Sequence, residues 1–240
     1  MTEVTSDESR SGDAKELLER LRGGLIVSCQ APPGDPLRAP AHIAAIAASV
    51  AAGAPAAGLR VQGVDDILAV REVVGAIGPL PVVGLWKDGV EGVFITPTAA
   101  HATAVADAGA EIVAVDATTR PRPDGRPLRE TVAAVHARGR LLMADVSTVE
   151  EGVTAAELGA DMVSTTLSGY TPYSRQAAGP DLELVAELAS RLDVPVFAEG
   201  RVHTPEQARA ALDAGAWGVV VGGAITAPAA IAARFAAALD

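Results

Sequence analysis

Thr148-Val-Glu-Glu-Gly-Val-Thr-Ala-Ala-Glu-Leu-Gly159-Ala160, followed at once by the apolar run Met162–Ser164, is the stretch that decides the fold. A threonine opens a helical segment, and Glu151 stands at capping-box spacing behind it. Gly159 supplies the left-handed turn that lets the chain leave the helix for a strand. The construction recurs at Thr98 with Gly109-Ala110 and at Thr204 with Gly215-Ala216, the Gly-Ala pair coming eleven positions after the threonine each time. This is an internal helix–strand repeat.

Outward from these copies, short apolar runs punctuate the chain. They fall at Leu25–Ser28, Leu59–Val61, Val82–Trp86, Ile112–Val115, Leu141–Ala144, Met162–Ser164, Val194–Ala198 and Val219–Val221. They lack polar alternation, as expected of parallel strands covered on both faces. Their spacing is roughly 28 residues, typical of a βα unit in a closed barrel. A doubly wound open sheet is the competing arrangement, but Cys29-Gln-Ala-Pro-Pro-Gly34 after the first run carries no Gly-x-Gly-x-x-Gly loop. The expectation is an α/β chain with a closed (β/α)8 TIM barrel over residues 14–240. A short helix, Ala14 to Arg22, precedes it, and residues 1–13 are expected to be a disordered polar tail.

Composition narrows the function. The 240 residues carry 19 Lys and Arg against 30 Asp and Glu, a net charge of −11. That balance excludes a nucleic-acid partner, whose phosphates need a basic face, but a local positive pocket for a small anion remains open. With 49% hydrophobic and 3% aromatic residues, the core is built from small aliphatic side chains. Ala39 to Leu59 and Ala214 to Ala233 are long and uncharged, yet Pro and Gly interrupt both, so they read as strand–turn–helix segments and not as membrane spans. The polar N-terminus has no apolar signal-peptide core, which makes the cytoplasm the expected location. Cys29 is the single cysteine and is expected to be a buried thiol. His42, His101, His136 and His203 are scattered, and no spacing suggests a metal site.

In a barrel, chemistry sits at the C-terminal ends of the strands. Polar residues there are Gln30; Arg60 and Gln62; Lys87; Asp116, Thr118 and Arg120; Asp145 and Ser147; Thr165, Thr166 and Ser168; Glu199 and Arg201. One lysine and one carboxylate in the same mouth make a usable acid–base pair. Gly200 and Gly222-Gly223 follow strands seven and eight, where barrels of this class hold a phosphate.

Several motifs carry a family likeness. They are Gly23-Gly-Leu-Ile-Val-Ser-Cys-Gln30, Phe94-Ile-Thr-Pro-Thr98, Val115-Asp-Ala-Thr118 and Arg120-Pro-Arg-Pro-Asp-Gly125. Met143-Ala-Asp-Val-Ser-Thr148, Thr165-Thr-Leu-Ser-Gly-Tyr-Thr-Pro-Tyr173, Ala198-Glu-Gly-Arg201 and Val221-Gly-Gly-Ala-Ile-Thr226 continue the series. From about Leu17 onward the chain resembles the N-acetylmannosamine-6-phosphate 2-epimerase family. The resemblance implies cofactor-independent inversion at C2 of an N-acylhexosamine 6-phosphate in sialic acid breakdown, by a homodimer. It implies that Lys87 moves the C2 proton and that Glu199 assists. Substrate contacts are expected from Gln30, Arg60, Asp145, Ser147, Thr165, Gly200, Arg201, Gly222 and Gly223.

Three positions depart from the family pattern. Lys87 is followed by Asp88-Gly89 in place of Arg-Asp, Gln62 replaces an Asn or Glu, and Ala227 replaces an arginine expected at the phosphate. A carboxylate next to Lys87 holds its proton more tightly unless it points away. Arg201, Arg175 or a bound water network is the expected compensation for the missing phosphate contact, and the alternative is a substrate that carries a different anionic group or none. The alternatives are another sugar-phosphate isomerase or a barrel that binds sugar phosphates without turnover.

Overall fold

The computed structural model describes residues 4–78 and 80–239. Eight strands among them close into one parallel barrel in sequence order. They are β1 (Leu25–Cys29), β2 (Gly58–Gln62), β3 (Val82–Leu85), β4 (Ile112–Asp116), β5 (Leu141–Asp145), β6 (Met162–Ser164), β7 (Val196–Glu199) and β8 (Gly218–Val221). Closure is made by β1 pairing with β8, Leu25 opposite Val219 and Val27 opposite Val221. Every expected strand is present, displaced by at most two residues at either end.

The helices are α1 (Val4–Leu21), α2 (Pro40–Gly53), α3 (Val64–Gly75), α4 (Ala99–Asp107), α5 (Leu128–His136), α6 (Val149–Glu157), α7 (Leu182–Arg191), α8 (Pro205–Asp213), α9 (Gly223–Thr226) and α10 (Pro228–Ala236). The repeated caps act as their chemistry dictates. The side chains of Thr98, Thr148 and Thr204 accept from the amides of His101, Glu151 and Gln207, and Thr148 and Glu151 form a capping box. Gly109, Gly159 and Gly215 sit at φ of 101°, 96° and 103°, where a side chain would be strained.

One expectation needs correction. α1 begins at Val4 and not at Ala14. No proline interrupts the stretch, and the lone Gly12 costs the helix only about 1 kcal/mol. Residues 1–3 of the expected tail lie outside the described residues.

Strand phase sorts the side chains into two apolar layers. Val27, Leu59, Val61, Val113, Leu142 and Val163 point outward to the helices. Ile26, Val83, Leu85, Ile112, Met143, Met162, Phe197 and Val220 fill the barrel interior. The outer layer is tight at Gly84, where a Cβ would meet Ala110 and Val105 at 2.6 and 2.7 Å. At the N-terminal end of the strands α1 closes the floor: Leu17, Leu18 and Leu21 pack into the interior cluster, and Trp217 Nε1 donates to Leu18 O at 2.8 Å. The opposite end is open. Cys29 is buried on the outer face, and burial pushes its thiol up to about 12. Among the described residues, no helix is long and apolar enough to cross a membrane.

Candidate active site

The inward phase that carries the apolar interior becomes polar one step higher. Ser28, Arg60, Asp116, Asp145, Ser164 and Glu199 continue the inward series of their strands, and all but Glu199 are buried. Two residues beyond Ser28 and Leu85 in the same phase come Gln30 and Lys87.

Arg60 is the centre of this layer. Its side chain is 1% exposed, and Nη2 lies 2.6 Å from Asp145 Oδ2. Nη1 lies 3.0 Å from Glu199 Oε2 and 3.2 Å from Asp145 Oδ1. A guanidinium this deep requires carboxylate partners, because its desolvation is otherwise prohibitive. The Thr166 hydroxyl stands between both acids, 2.7 Å from Asp145 Oδ1 and 3.1 Å from Glu199 Oε2. It has one proton, so it donates to one carboxylate and can accept from the other when that acid is protonated.

The environment suits that arrangement. Burial raises Glu199 to about 7, and Asp145 nearby adds to the rise while Arg60 opposes it. Lys87 is held below its ordinary value, by burial among the barrel-mouth atoms first and by the Arg60 guanidinium second. Its ammonium donates to Gln30 Oε1 at 2.8 Å, and Gln30 Nε2 donates to Ser28 Oγ at 2.8 Å. Asp88 turns away from Lys87 toward His101, whose Nε2 is 3.3 Å from Asp88 Oδ2. The mouth thus holds one acid and one base, both displaced toward neutral pH, a pattern that proton-transfer sites share.

Above this layer opens a cavity of about 550 Å³. Gln30, Arg60, Lys87 and Glu199 line it, as do Gly200, Arg201, Gly222 and Gly223. Three expected contact residues stand elsewhere. Asp145 lies beneath Arg60. Thr165 holds the Glu199 backbone, accepting from its N–H at 3.1 Å and donating to its carbonyl at 3.0 Å. Ser147 turns sideways to Glu151, donating to it through both amide and hydroxyl at 2.8 Å. Glu151 also receives Thr119 N–H and the Tyr173 hydroxyl, so one buried carboxylate ties together the loops after β4, β5 and β6.

The two arginines expected to replace the missing contact differ. Arg175 pairs with Glu183 at 2.6 Å and is absent from the cavity lining. Arg201 lines the cavity in a left-handed conformation, φ 54°. Its guanidinium donates to the carbonyls of Gly179 and Ser168 and covers the Tyr170 ring. Sequence reading missed Arg234 of α10, which lines the same cavity together with Ala230 one turn earlier. Its Nη1 donates to His203 O at 3.2 Å, and among the described residues no carboxylate lies within ion-pair distance of it.

Residues 43–240 match the family described as "Putative N-acetylmannosamine-6-phosphate epimerase". A Cutibacterium acnes protein named "Putative N-acetylmannosamine-6-phosphate 2-epimerase" is 48% identical, over 94% of this chain and 97% of its own length. A Clostridium perfringens relative of the same name is 46% identical, over 91% and 98%. Among solved structures, the N-acetylmannosamine-6-phosphate 2-epimerase from Clostridium perfringens superposes with a TM-score of 0.88 at 45% identity, covering 92% of this chain and 96% of that one. Thiamine phosphate pyrophosphorylase from Pyrococcus furiosus, at 18% identity and a TM-score of 0.57, shares the fold alone.

Proposed function

The chain belongs to the N-acetylmannosamine-6-phosphate epimerase family, a family of isomerases, and from that footing we propose that it inverts C2 of N-acetylmannosamine 6-phosphate to give N-acetylglucosamine 6-phosphate. The observation that carries this reading is that Lys87, just past β3, and Glu199, at the end of β7, line the same cavity from opposite sides of the barrel mouth, with Arg60 paired to both Glu199 and Asp145.

The C2 hydrogen is acidic only in the open-chain sugar, beside the C1 aldehyde. Glu199, protonated over much of the neutral range, gives and takes the proton that opens and recloses the ring. Lys87 in its neutral form removes the proton from C2. The electron pair moves through C1 to the aldehyde oxygen, and an enolate forms. The Lys87 ammonium, having exchanged its protons with solvent, returns one to the other face of C2 once the open-chain enolate has turned, the aldehyde re-forms, and no electron leaves the substrate. Arg60, fixed by two carboxylates, supplies positive charge that needs no reorganisation as the enolate develops. The glycine-lined part of the cavity takes the phosphate, with Arg201 and Arg234 on its rim. No cofactor takes part. The same reading puts the step in sialic acid and amino-sugar catabolism in the cytoplasm, carried out by a homodimer.

The test is incubation with N-acetylmannosamine 6-phosphate in D₂O, followed at C2 by proton NMR. Product carrying deuterium at C2 is the expected result. Binding without exchange overturns the catalytic reading in favour of a sugar-phosphate-binding barrel.

A further inference from the structure

Lys87 does not lie on a regular strand. After β3 the chain makes a small hairpin in which Lys87 pairs antiparallel with Ile95. Trp86 N–H donates to Thr96 Oγ1 at 3.1 Å, Thr96 N–H to Trp86 O at 2.7 Å, and Asp88 N–H to Phe94 O at 2.9 Å. Along such a strip side chains alternate. With Lys87 turned into the cavity, Trp86 and Asp88 both face the other way.

On that other side stands His101, in the first turn of α4. Its ring meets Trp86 edge-on, with centroids 4.7 Å apart and an interplanar angle of 73°. Its Nε2 lies 3.3 Å from Asp88 Oδ2. Its Nδ1 lies 2.7 Å from the hydroxyl of Thr98, the residue that caps α4. The tautomer that donates from Nε2 to Asp88 leaves Nδ1 to accept from Thr98. One imidazole therefore holds the residues immediately before and after Lys87, and is itself anchored to a helix cap.

We propose that His101 is a positioning residue for Lys87, bracing the hairpin on both sides and keeping the Asp88 carboxylate off the ammonium. The proposal rests on the reading of Lys87 as the group that handles the C2 proton. Asp88 is 65% exposed and adjoins Lys87 in the chain, so without its partner it is free to swing. The groups already acting on Lys87 are Arg60, Glu199, Asp145 and Arg38, with Gln30 bonded to it. A carboxylate added to this set favours the charged amine, a change of about one pH unit at contact distance.

The sequence holds just two lysines, Lys15 and Lys87, so ¹³C-lysine labelling gives a spectrum in which Lys87 is titrated directly, without turnover. His101→Phe, which keeps an aromatic ring on Trp86 but loses the donor, is expected to raise the Lys87 midpoint by about one pH unit. The acid limb of kcat/KM moves with it. Asp88→Asn in that background is expected to reverse the shift. His101→Gln, which retains an amide donor, stays near the parent. Asp88→Asn alone leaves the midpoint where it was, because the carboxylate is already held away.

A His101→Phe protein that folds with an unmoved Lys87 midpoint overturns the proposal. So does an Asp88→Asn single variant whose midpoint falls, an arm that stands even if His101→Phe does not fold. Loss of the epimerase reading is registered separately, as absence of C2 exchange in the parent protein.

Discussion

Glu199 Oε2 lies 3.0 Å from Arg60 Nη1, where the barrel interior gives way to the open cavity. The contact joins a carboxyl raised to about 7 to a guanidinium that cannot release its proton. Arg60 does not force Glu199 to ionise, because Asp145 claims the other side of the same guanidinium at 2.6 Å. Two acids share one positive charge, and burial keeps a proton on Glu199 near neutrality.

Removing the base is the most direct test of role. Lys87→Ala is expected to lower C2 exchange by about 10²–10⁴-fold, the usual worth of a positioned proton-transfer group. Its melting temperature should not fall, since Lys87 is open to the mouth and held by a single Gln30 contact. D₂O exchange followed by NMR, alongside thermal melts, checks both. Undiminished exchange would mean that another group takes the proton.

Glu199→Gln separates chemistry from stability. A glutamine cannot exchange the proton, so turnover is expected to drop by about 100-fold or more, and the alkaline limb of kcat/KM near pH 7 disappears. A carboxyl raised from 4.5 to about 7 contributes stability that is complete below pH 4.5 and is lost as pH climbs through 7. Urea midpoints at pH 5 and pH 8 should therefore shift in favour of the glutamine variant at the higher pH. A gap that is constant with pH would contradict the raised value.

Arg60→Leu leaves Asp145 and Glu199 facing each other without their shared cation. The expected cost is about 3–5 kcal/mol of unfolding free energy, with Glu199 driven further up because the guanidinium that held it down is gone. Denaturant titration reads the first effect and the pH profile of any residual activity the second.

Arg234→Ala tests the anion end of the cavity. Loss of charge-assisted bonds worth roughly 1.5–3 kcal/mol is expected to raise KM for the 6-phosphorylated sugar by about 10- to 150-fold, with kcat little changed. Inorganic phosphate, as a competitive inhibitor, should weaken in parallel. An unaltered KM would assign the phosphate to Arg201 and the backbone alone.

How much of this was legible in the sequence depends on the kind of signal. The threonine and glycine caps are local chemistry, and the helices they bound stand where the spacing puts them. Strand phase was not legible, because strands covered on both faces lose the alternation that would reveal it. The cost shows in Thr165 and Thr166. Counting inward residues from Met162 through Ser164 reaches Thr166, which touches both acids, whereas Thr165 points to the Glu199 backbone. Ser147 keeps the phase of Asp145 on paper, but the chain has already left β5, and Glu151 captures its hydroxyl. Arg234 follows the last strand on a helix, where only the four-residue step from Ala230 connects it to the cavity. His101 was visible as a histidine without metal partners, and nothing in its spacing announced the two neighbours it grips.

The floor of the barrel has a consequence for biosynthesis. α1 leaves the ribosome before any strand, yet the indole that binds Leu18 O belongs to Trp217, nearly the whole chain later. Leu17, Leu18 and Leu21 have no closed seat until β8 docks against β1. During translation this greasy plug stays uncovered while the staves accumulate. Insertion of the stopper and joining of the last seam thus become a single late event, and a nascent chain stalled short of residue 217 would be the form that chaperones must shield.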